Sequence, residues 1–259
     1  MNEAFYHQTS RIEERHWWFR ARRALADRLL RSEGSAATSG RGLDVGCGSG
    51  GNLSLLARHC ADVVGLERSA LALDLARAKH PGARLVRGDA NHAGSLFREE
   101  SFAVITVFNV LYHRWIDAES AVLEQLAALL RPGGLLLVTE PAFPVLFRRH
   151  DAVDHGVRRY RAGELADLVR AAGLQVRRAS YFNSVAFLPA LLVAGVDRLR
   201  GRGVAAEHAD SAEVAELGVP VAPLNRSLEA LLGVEARWIE RVGRVPVGVG
   251  VLVLARRAA

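Results

Sequence analysis

The stretch LDVGCGSGG, residues 43–51, decides the fold. A short strand-forming run ends in closely spaced glycines, and the segment after it, GNLSLLARHC (51–60), carries apolar residues at helical spacing. A glycine-rich turn between a strand and a helix lets backbone N–H groups approach a ligand at the strand's carboxyl end. Gly46, Gly48 and Gly51 satisfy G-x-G-x-x-G, and Glu67 follows Gly46 by 21 residues, where an acid for ribose hydroxyls belongs. A nicotinamide-dinucleotide oxidoreductase is therefore one reading. Asp44 argues against it, because a carboxylate beside the turn repels a pyrophosphate and favours a phosphate-free ligand with a cationic centre.

Outward from this loop, short apolar runs alternate with amphipathic helical segments, the pattern of βαβ units and a parallel sheet. Strands are expected at 42–46, 62–67, 83–88, 102–108 and 134–140, with helices between them, the last ending at RPGG (131–134). After residue 141 the rhythm changes. A polar loop, a helix AGELADLVRAAGL (162–174), a strand-like QVRRASYF (175–182), a long irregular stretch and a final strand VGVGVLVLAR (247–256) follow. The two closing strands suit an antiparallel addition at the edge of a parallel sheet.

LDVGCGSG resembles the first motif of the class I S-adenosylmethionine-dependent methyltransferases, and three further segments resemble that family in order. Glu67, in VGLERS with Arg68, matches the family's acid for the ribose hydroxyls; Asp89 and Ala90, in GDA, match its adenine-contacting pair; LRPGGLLLVTEP matches the segment entering its fifth strand. The resemblance implies a Rossmann-like α/β fold with a seven-stranded mixed sheet and an antiparallel final strand. It implies S-adenosylmethionine as cofactor, held by Asp44, Gly46, Cys47, Gly48, Gly50, Glu67, Arg68, Asp89, Ala90 and Asn109. That ligand has no phosphates and carries an ammonium and a sulfonium, which accounts for Asp44. Cys47 reads as a small loop residue and not a nucleophile, since no basic partner adjoins it.

The segment after the fourth strand, FNVLYHRWID (108–117), bears on the acceptor. Nucleic-acid amine methyltransferases share an Asn/Asp-Pro-Pro-aromatic motif here; Asn109 and Tyr112 have its spacing, but Val110 and Leu111 replace both prolines. A cytosine-C5 enzyme needs a Pro-Cys nucleophile, and neither Cys47 nor Cys60 follows a proline. The segment looks more like the D/N-x-L-x-H of small-molecule methyltransferases of the ubiquinone-biosynthesis type, with His113 as its histidine, although Ala103 stands where that group commonly has Asp. His113 is then a candidate general base or a packed structural histidine.

Before the first strand, EERHWWFRARR (13–23) interleaves two tryptophans with arginines and resembles the N-terminal HWWF-x-x-RR of a group of bacterial methyltransferases. On one helix His16, Phe19, Arg20 and Arg23 share a face, while Trp18, Leu25 and Leu29 share an apolar one. The first face is expected to look into the site as a lid, with Arg23 on the cofactor carboxylate and His16, Trp17 and Phe19 toward the acceptor; the alternative is a helix merely anchored by its tryptophans. DHGVRRYRAGELADLVRAAGL (154–174) resembles the same group and supplies His155, Arg158, Arg159 and Tyr160, a polar cluster that is either substrate-facing or a solvated turn. Tyr112 and Arg159 are candidate acceptor contacts, and His155 and Tyr160 join His113 as candidate catalytic groups.

Length and composition bound these readings. The 259 residues fit one α/β domain with an insertion, divided as an N-terminal lid (1–40), core (41–183), helical insert (184–245) and final edge strand (246–259). The formal charge of +6 rests almost wholly on arginine, Lys79 being the only lysine, and with no other nucleic-acid module no nucleic-acid partner is expected. Two cysteines without zinc spacing predict no metal and a reducing, cytoplasmic setting. The N-terminus lacks a signal-peptide pattern, and the most apolar window, SVAFLPALLVAGV (184–196), is too short to span a bilayer. It suits either the wall of an apolar acceptor pocket or a homodimer contact. The expected activity is methyl transfer to an O, N or C atom of a small or lipid-like molecule; an oxidoreductase, a nucleic-acid methyltransferase and a non-catalytic S-adenosylmethionine-binding protein are the alternatives.

Overall fold

A computed structural model describes residues 3–34, 40–200 and 218–259. Residues 201–217 of the expected insert, and residues 1–2 and 35–39 of the expected lid, lie outside the described residues. The strands are β1 (Arg41–Val45), β2 (Asp62–Glu67), β3 (Arg84–Arg87), β4 (Phe102–Phe108), β5 (Leu130–Pro141), β6 (Gln175–Phe182) and β7 (Gly250–Arg256). The helices are α1 (Glu3–Ile12), α2 (Trp17–Ser32), α3 (Leu53–Leu56), α4 (Ala70–Lys79), α5 (Ala93–Leu96), α6 (Glu119–Leu129), α7 (Arg149–Val153), α8 (Ala162–Ala171), α9 (Phe187–Leu199) and α10 (Ala222–Val242).

One seven-stranded sheet runs β3-β2-β1-β4-β5-β7-β6. The first five strands are parallel, and β7 is antiparallel to both neighbours. All seven residues of β4, FAVITVF, are buried, as a central strand covered on both faces requires. Alternate residues serve the two faces. Ile105, Val107, Leu136 and Val138 pack under α6 and α8, while Val104, Leu135, Leu137 and Leu252 pack under α2, α3 and α10.

Two expectations change. The last strand is not an edge: β7 inserts between β5 and β6, and the edge is β6. The reason lies in composition, since GVLVLA is buried residue by residue and takes a partner on each side, whereas β6 carries Arg177 and Arg178 and tolerates an open flank. The helix α6 does end just before RPGG, at Leu129, but β5 begins at Leu130 and not at 134, so RPGG forms its irregular start, with a register shift against β4 between Phe102 and Val104.

The N-terminal region folds as two helices, and α1 was not foreseen. The chain breaks at residues 13–16, where His16 caps α2 by accepting the Trp18 N–H at Nδ1 (3.2 Å). α2 lies beside α10 across one face of the sheet. Leu25, Leu29 and Leu30 are buried there, and Trp18 stacks on Phe182 of β6 with ring centroids 5.5 Å apart. Trp18→Ala should therefore cost about 2–4 kcal/mol, somewhat less than a fully buried aromatic, and lower the melting temperature by roughly 5–10 °C in a calorimetric scan. A change below about 1 °C would show that the stack contributes nothing to the fold.

Candidate active site

The strands' carboxyl ends and the N-terminal helices enclose a cavity of about 560 Å³, within the range of small-molecule sites. One half is built on the glycine loop. Gly46 turns at φ +67°, where a Cβ would drive into the Val110 side chain at 2.5 Å, and Gly48 at φ +53° leaves its Cβ direction open toward the cavity. Glu67, buried at the end of β2, accepts the Gly48 N–H (3.1 Å), the Ser69 N–H (2.9 Å) and the Tyr6 hydroxyl (3.3 Å). Burial and the Glu67 charge push the Tyr6 phenol up, so it stays a donor. Asp89 caps the turn after β3 by accepting from Asn91 N (2.9 Å), and Ala90 borders the cavity beside it. The Arg68 guanidinium lies 5.1 Å from the Trp115 ring centroid, and Trp115 stacks on His113.

Asp44 and Gly50 do not line this cavity. The Asp44 side chain lies under the loop, 1% exposed, where it accepts from Thr106 Oγ1 on β4 (2.7 Å). Burial pushes its carboxyl up to about 7. Gly50 turns its Cβ direction toward His80 and Ala76, away from the cavity. Cys47 does line it, but burial and the charges of Asp44 and Glu67 raise its thiol well above the ordinary range, so it remains a neutral packing group.

Of the N-terminal face expected to look into the site, only Arg20 turns away. His16, Trp17 and Phe19 border the cavity. Arg20 instead reaches α10, 2.9 Å from Glu229. Arg23 borders the cavity, yet its Nη2 donates to Glu13 O (2.8 Å) and Glu14 Oε2 (3.2 Å), fastening the turn between α1 and α2. The arginine directed at the sheet is Arg22, which the sequence reading passed over. Its Nη1 donates to Asn109 Oδ1 (3.2 Å), and its guanidinium sits 5.2 Å from the Phe108 centroid and 5.7 Å from that of Phe19. Burial lowers it to about 10, with Asp44, Glu13 and Glu140 acting in the opposite sense. Arg22 falls three residues after Phe19, so helical spacing alone could have placed it on the Phe19 face. Glu13, also unremarked, accepts from Ser49 Oγ (2.8 Å) and Lys79 Nζ and lies against Gly51, where a Cβ would collide with it.

The other half follows β4 and β5. Asn109 takes a left-handed turn (φ +57°), a conformation asparagine tolerates, and the next two N–H groups swing toward Glu140. Glu140, the penultimate residue of β5 and 1% exposed, accepts both at Oε1, from Val110 (3.0 Å) and Leu111 (2.8 Å), while its buried Oε2 has no partner. Burial raises this carboxyl to about 8. Tyr112 donates its hydroxyl to Asp154, whose Oδ1 is likewise buried and unpartnered. Burial raises Asp154 to about 6. Arg159 borders the cavity but is committed to Asp151 (2.7 and 3.1 Å) and to Ala142 O (3.0 Å).

The candidate bases fare unequally. His113 borders the cavity, and burial lowers its imidazole to about 3, which keeps it neutral but makes it a weak proton acceptor. His155 and Tyr160 are outside the cavity. His155 sits on the far side of Trp115, with ring centroids 5.5 Å apart, and Tyr160 is buried with its hydroxyl 3.0 Å from Leu111 O and 3.1 Å from Glu119 Oε1. Among the described residues no three metal-ligating side chains cluster, and no helix is long and apolar enough to cross a membrane.

A family model described as a methyltransferase domain matches residues 17–179, more than half of the chain. The chain belongs to this methyltransferase family. Its 29% identity over 168 residues to a probable S-adenosylmethionine-dependent methyltransferase of Mycolicibacterium smegmatis covers 64% of the chain and 62% of that protein. A dTDP-3-amino-3,6-dideoxy-alpha-D-glucopyranose N,N-dimethyltransferase of Streptomyces fradiae is 42% identical over 106 residues, 40% of the chain and 41% of that protein. The chain thus spans about two-fifths to three-fifths of the length of these relatives. The crystal structure of an S-adenosylmethionine-dependent methyltransferase from Mesorhizobium loti superposes with a TM-score of 0.55 at 16% identity, covering 88% of this chain and 96% of that one. Together with the strand order, this makes the fold that of a class I methyltransferase, Rossmann-like as expected.

The family's adenosyl cofactor fits what the loop presents. Gly48 offers an open backbone face, and the adjoining Glu67 carboxylate suits hydroxyl or ammonium hydrogens and would repel a phosphate.

Proposed function

We propose that this protein transfers a methyl group from S-adenosylmethionine to an O, N or C atom of a small or lipid-like molecule, acting in the cytoplasm and without a nucleic-acid partner. The observation that carries the reading is a single cavity that joins the glycine loop, Glu67 and Asp89 to the polar wall of Tyr112, His113 and Glu140. The likeness to an aminosugar N,N-dimethyltransferase supports a small-molecule acceptor. The lipid-like end of the range is supported by α9, whose start at Ala186 and Ala190 borders the cavity while Leu188, Leu192 and Leu199 stand exposed.

When bound, S-adenosylmethionine supplies an electrophilic methyl group on a sulfonium. The chain's own residues do the rest. Glu67 and Asp89 orient the ribose and adenine, the loop N–H groups border the amino-acid end, and His16, Trp17 and Phe19 exclude water from above. Such a division needs no metal ligand.

Calorimetry tests the reading. S-adenosylhomocysteine should bind at micromolar level and NADH should not; binding of NADH alone would overturn it. Glu67→Gln should weaken S-adenosylhomocysteine by roughly ten- to a hundredfold, the effect of losing hydrogen bonds to a charged group, about 1.5–3 kcal/mol. An unchanged affinity would remove Glu67 from the cofactor half.

A further inference from the structure

We propose that the acceptor atom is the nitrogen of a primary or secondary amine, and that Glu140 receives it through Oε2 with Asp154 as a second acceptor. This rests on the methyl-transfer reading above and narrows its O, N or C range. Both carboxyl groups are fastened to one turn, residues 109–112. Glu140 is held there by the N–H groups of Val110 and Leu111, and Asp154 by the Tyr112 hydroxyl. Each holds one oxygen in that way and leaves the other buried and unpartnered, in a residue that lines the cavity. A buried carboxyl oxygen without a donor destabilises the fold, so the pair is arranged for hydrogens that a ligand brings.

The chemistry of the acceptor follows from what those two oxygens require. An amine offers at least two N–H donors as an ammonium, a hydroxyl offers one, and a carbon acceptor offers none. A phosphate or carboxylate at the same place is repelled. Arg22 does not reverse this preference: its Nη1 donates to Asn109 and its buried, unpartnered Nε can take one acceptor atom of a ligand, but its single charge balances only one carboxylate while Asp154 remains. An ammonium must also lose a proton before its nitrogen has a lone pair to share. Glu140 Oε2 is the place for that proton. Burial raises its carboxyl to about 8, so at neutral pH the proton goes to the ionised fraction, which a neighbouring ammonium favours and which is a stronger base than an ordinary glutamate or His113. Nitrogen gives up one hydrogen, Oε2 gains it, and no other reactant is needed.

The test measures binding to the S-adenosylhomocysteine-saturated protein of two probes of equal shape, cyclohexylamine and cyclohexanol, by calorimetry at pH 7.5. The amine should bind at least tenfold more tightly than the alcohol. In Glu140→Gln that preference should fall below threefold, and in Asp154→Asn it should fall part of the way; the latter serves should the Glu140 variant fail to fold. A wild-type preference under tenfold, or one that survives in both variants, overturns the amine assignment while leaving methyl transfer intact. A wild-type protein that does not bind S-adenosylhomocysteine overturns the donor reading itself, and this inference with it.

Discussion

Raising the pH from about 5.5 to 8.5 should destabilise the unliganded protein by several kcal/mol, with the melting temperature falling at each step. Asp44, Glu140 and Asp154 are carboxyls whose folded values are raised by burial, to about 7, 8 and 6. Between their unfolded values near 4 and these folded values the folded state binds more protons than the unfolded state, so stability declines as pH rises. Three raised units at 1.36 kcal/mol each give on the order of 4 kcal/mol for one fully buried group, and Arg22, which faces Asp44 and Glu140, shares in that sum. His113 acts at the other end. Its lowered value removes stability as pH falls from about 6.5 toward 3, which offsets only one of the three carboxyls, so the optimum should lie at about pH 4. Scanning calorimetry over this range is the check. Glu140→Gln should flatten the alkaline slope by about half, and a melting temperature that is level or rises from pH 5.5 to 8.5 would contradict the burial of these acids.

Arg22→Ala is expected to cost about 3–5 kcal/mol, the scale of breaking a buried charge cluster by removing one member. Arg22 is 7% exposed, its guanidinium packed against Phe19 and Phe108, and its loss removes the cation that faces Asp44 and Glu140, while Glu13 keeps Lys79. Arg22→Met, which keeps most of the volume, should recover little, because charge and not bulk is missing. Arg23→Ala should cost only about 1–2 kcal/mol, since its partners are a backbone carbonyl and the exposed Glu14. Denaturant titration of the three variants decides the matter. If Arg23→Ala proves more costly than Arg22→Ala, the cavity-facing arginine has been misassigned. The ordering also bears on whether the tryptophan-bearing segment is a lid or an anchor: Phe19 and Arg22 border the cavity, and Trp18 both borders it and stacks on Phe182 of β6.

Much of this was legible in the sequence, and the boundary of legibility has physical causes. The strands announced themselves because each is an apolar run bounded by turn residues, and the glycine loop because its spacing answers to a backbone need that no other residue meets. Arg22 was passed over beside Arg23, although both border the cavity. Helix phase is set by where a helix begins, and the His16 cap and the docking of α10 fix that start through contacts some two hundred residues away, such as Asn225 Oδ1 accepting the Trp17 N–H (3.0 Å). Glu140 escaped notice for a related reason. A glutamate at the end of a strand reads as solvent-facing, and only the fold of residues 109–111 around it shows that it is enclosed. His155 and Tyr160 were drawn into the site by their neighbourhood in sequence to Arg159, whereas the fold sets His155 against Trp115 and commits the Tyr160 hydroxyl to Leu111 O, both outside the cavity lining.

The place of β7 between β5 and β6 has a consequence for the order in which the molecule can assemble on a ribosome. β5 is complete at Pro141, but the neighbour that covers its open flank is not made until residues 250–256 emerge, and β6 waits with it. For more than a hundred residues of synthesis, the nascent sheet therefore carries an unpaired border on β5, rich in Leu and Val, of the kind that recruits other chains. A message truncated anywhere between codons 142 and 249 yields not a smaller enzyme but a sheet missing its keystone, a substrate for chaperones and proteases.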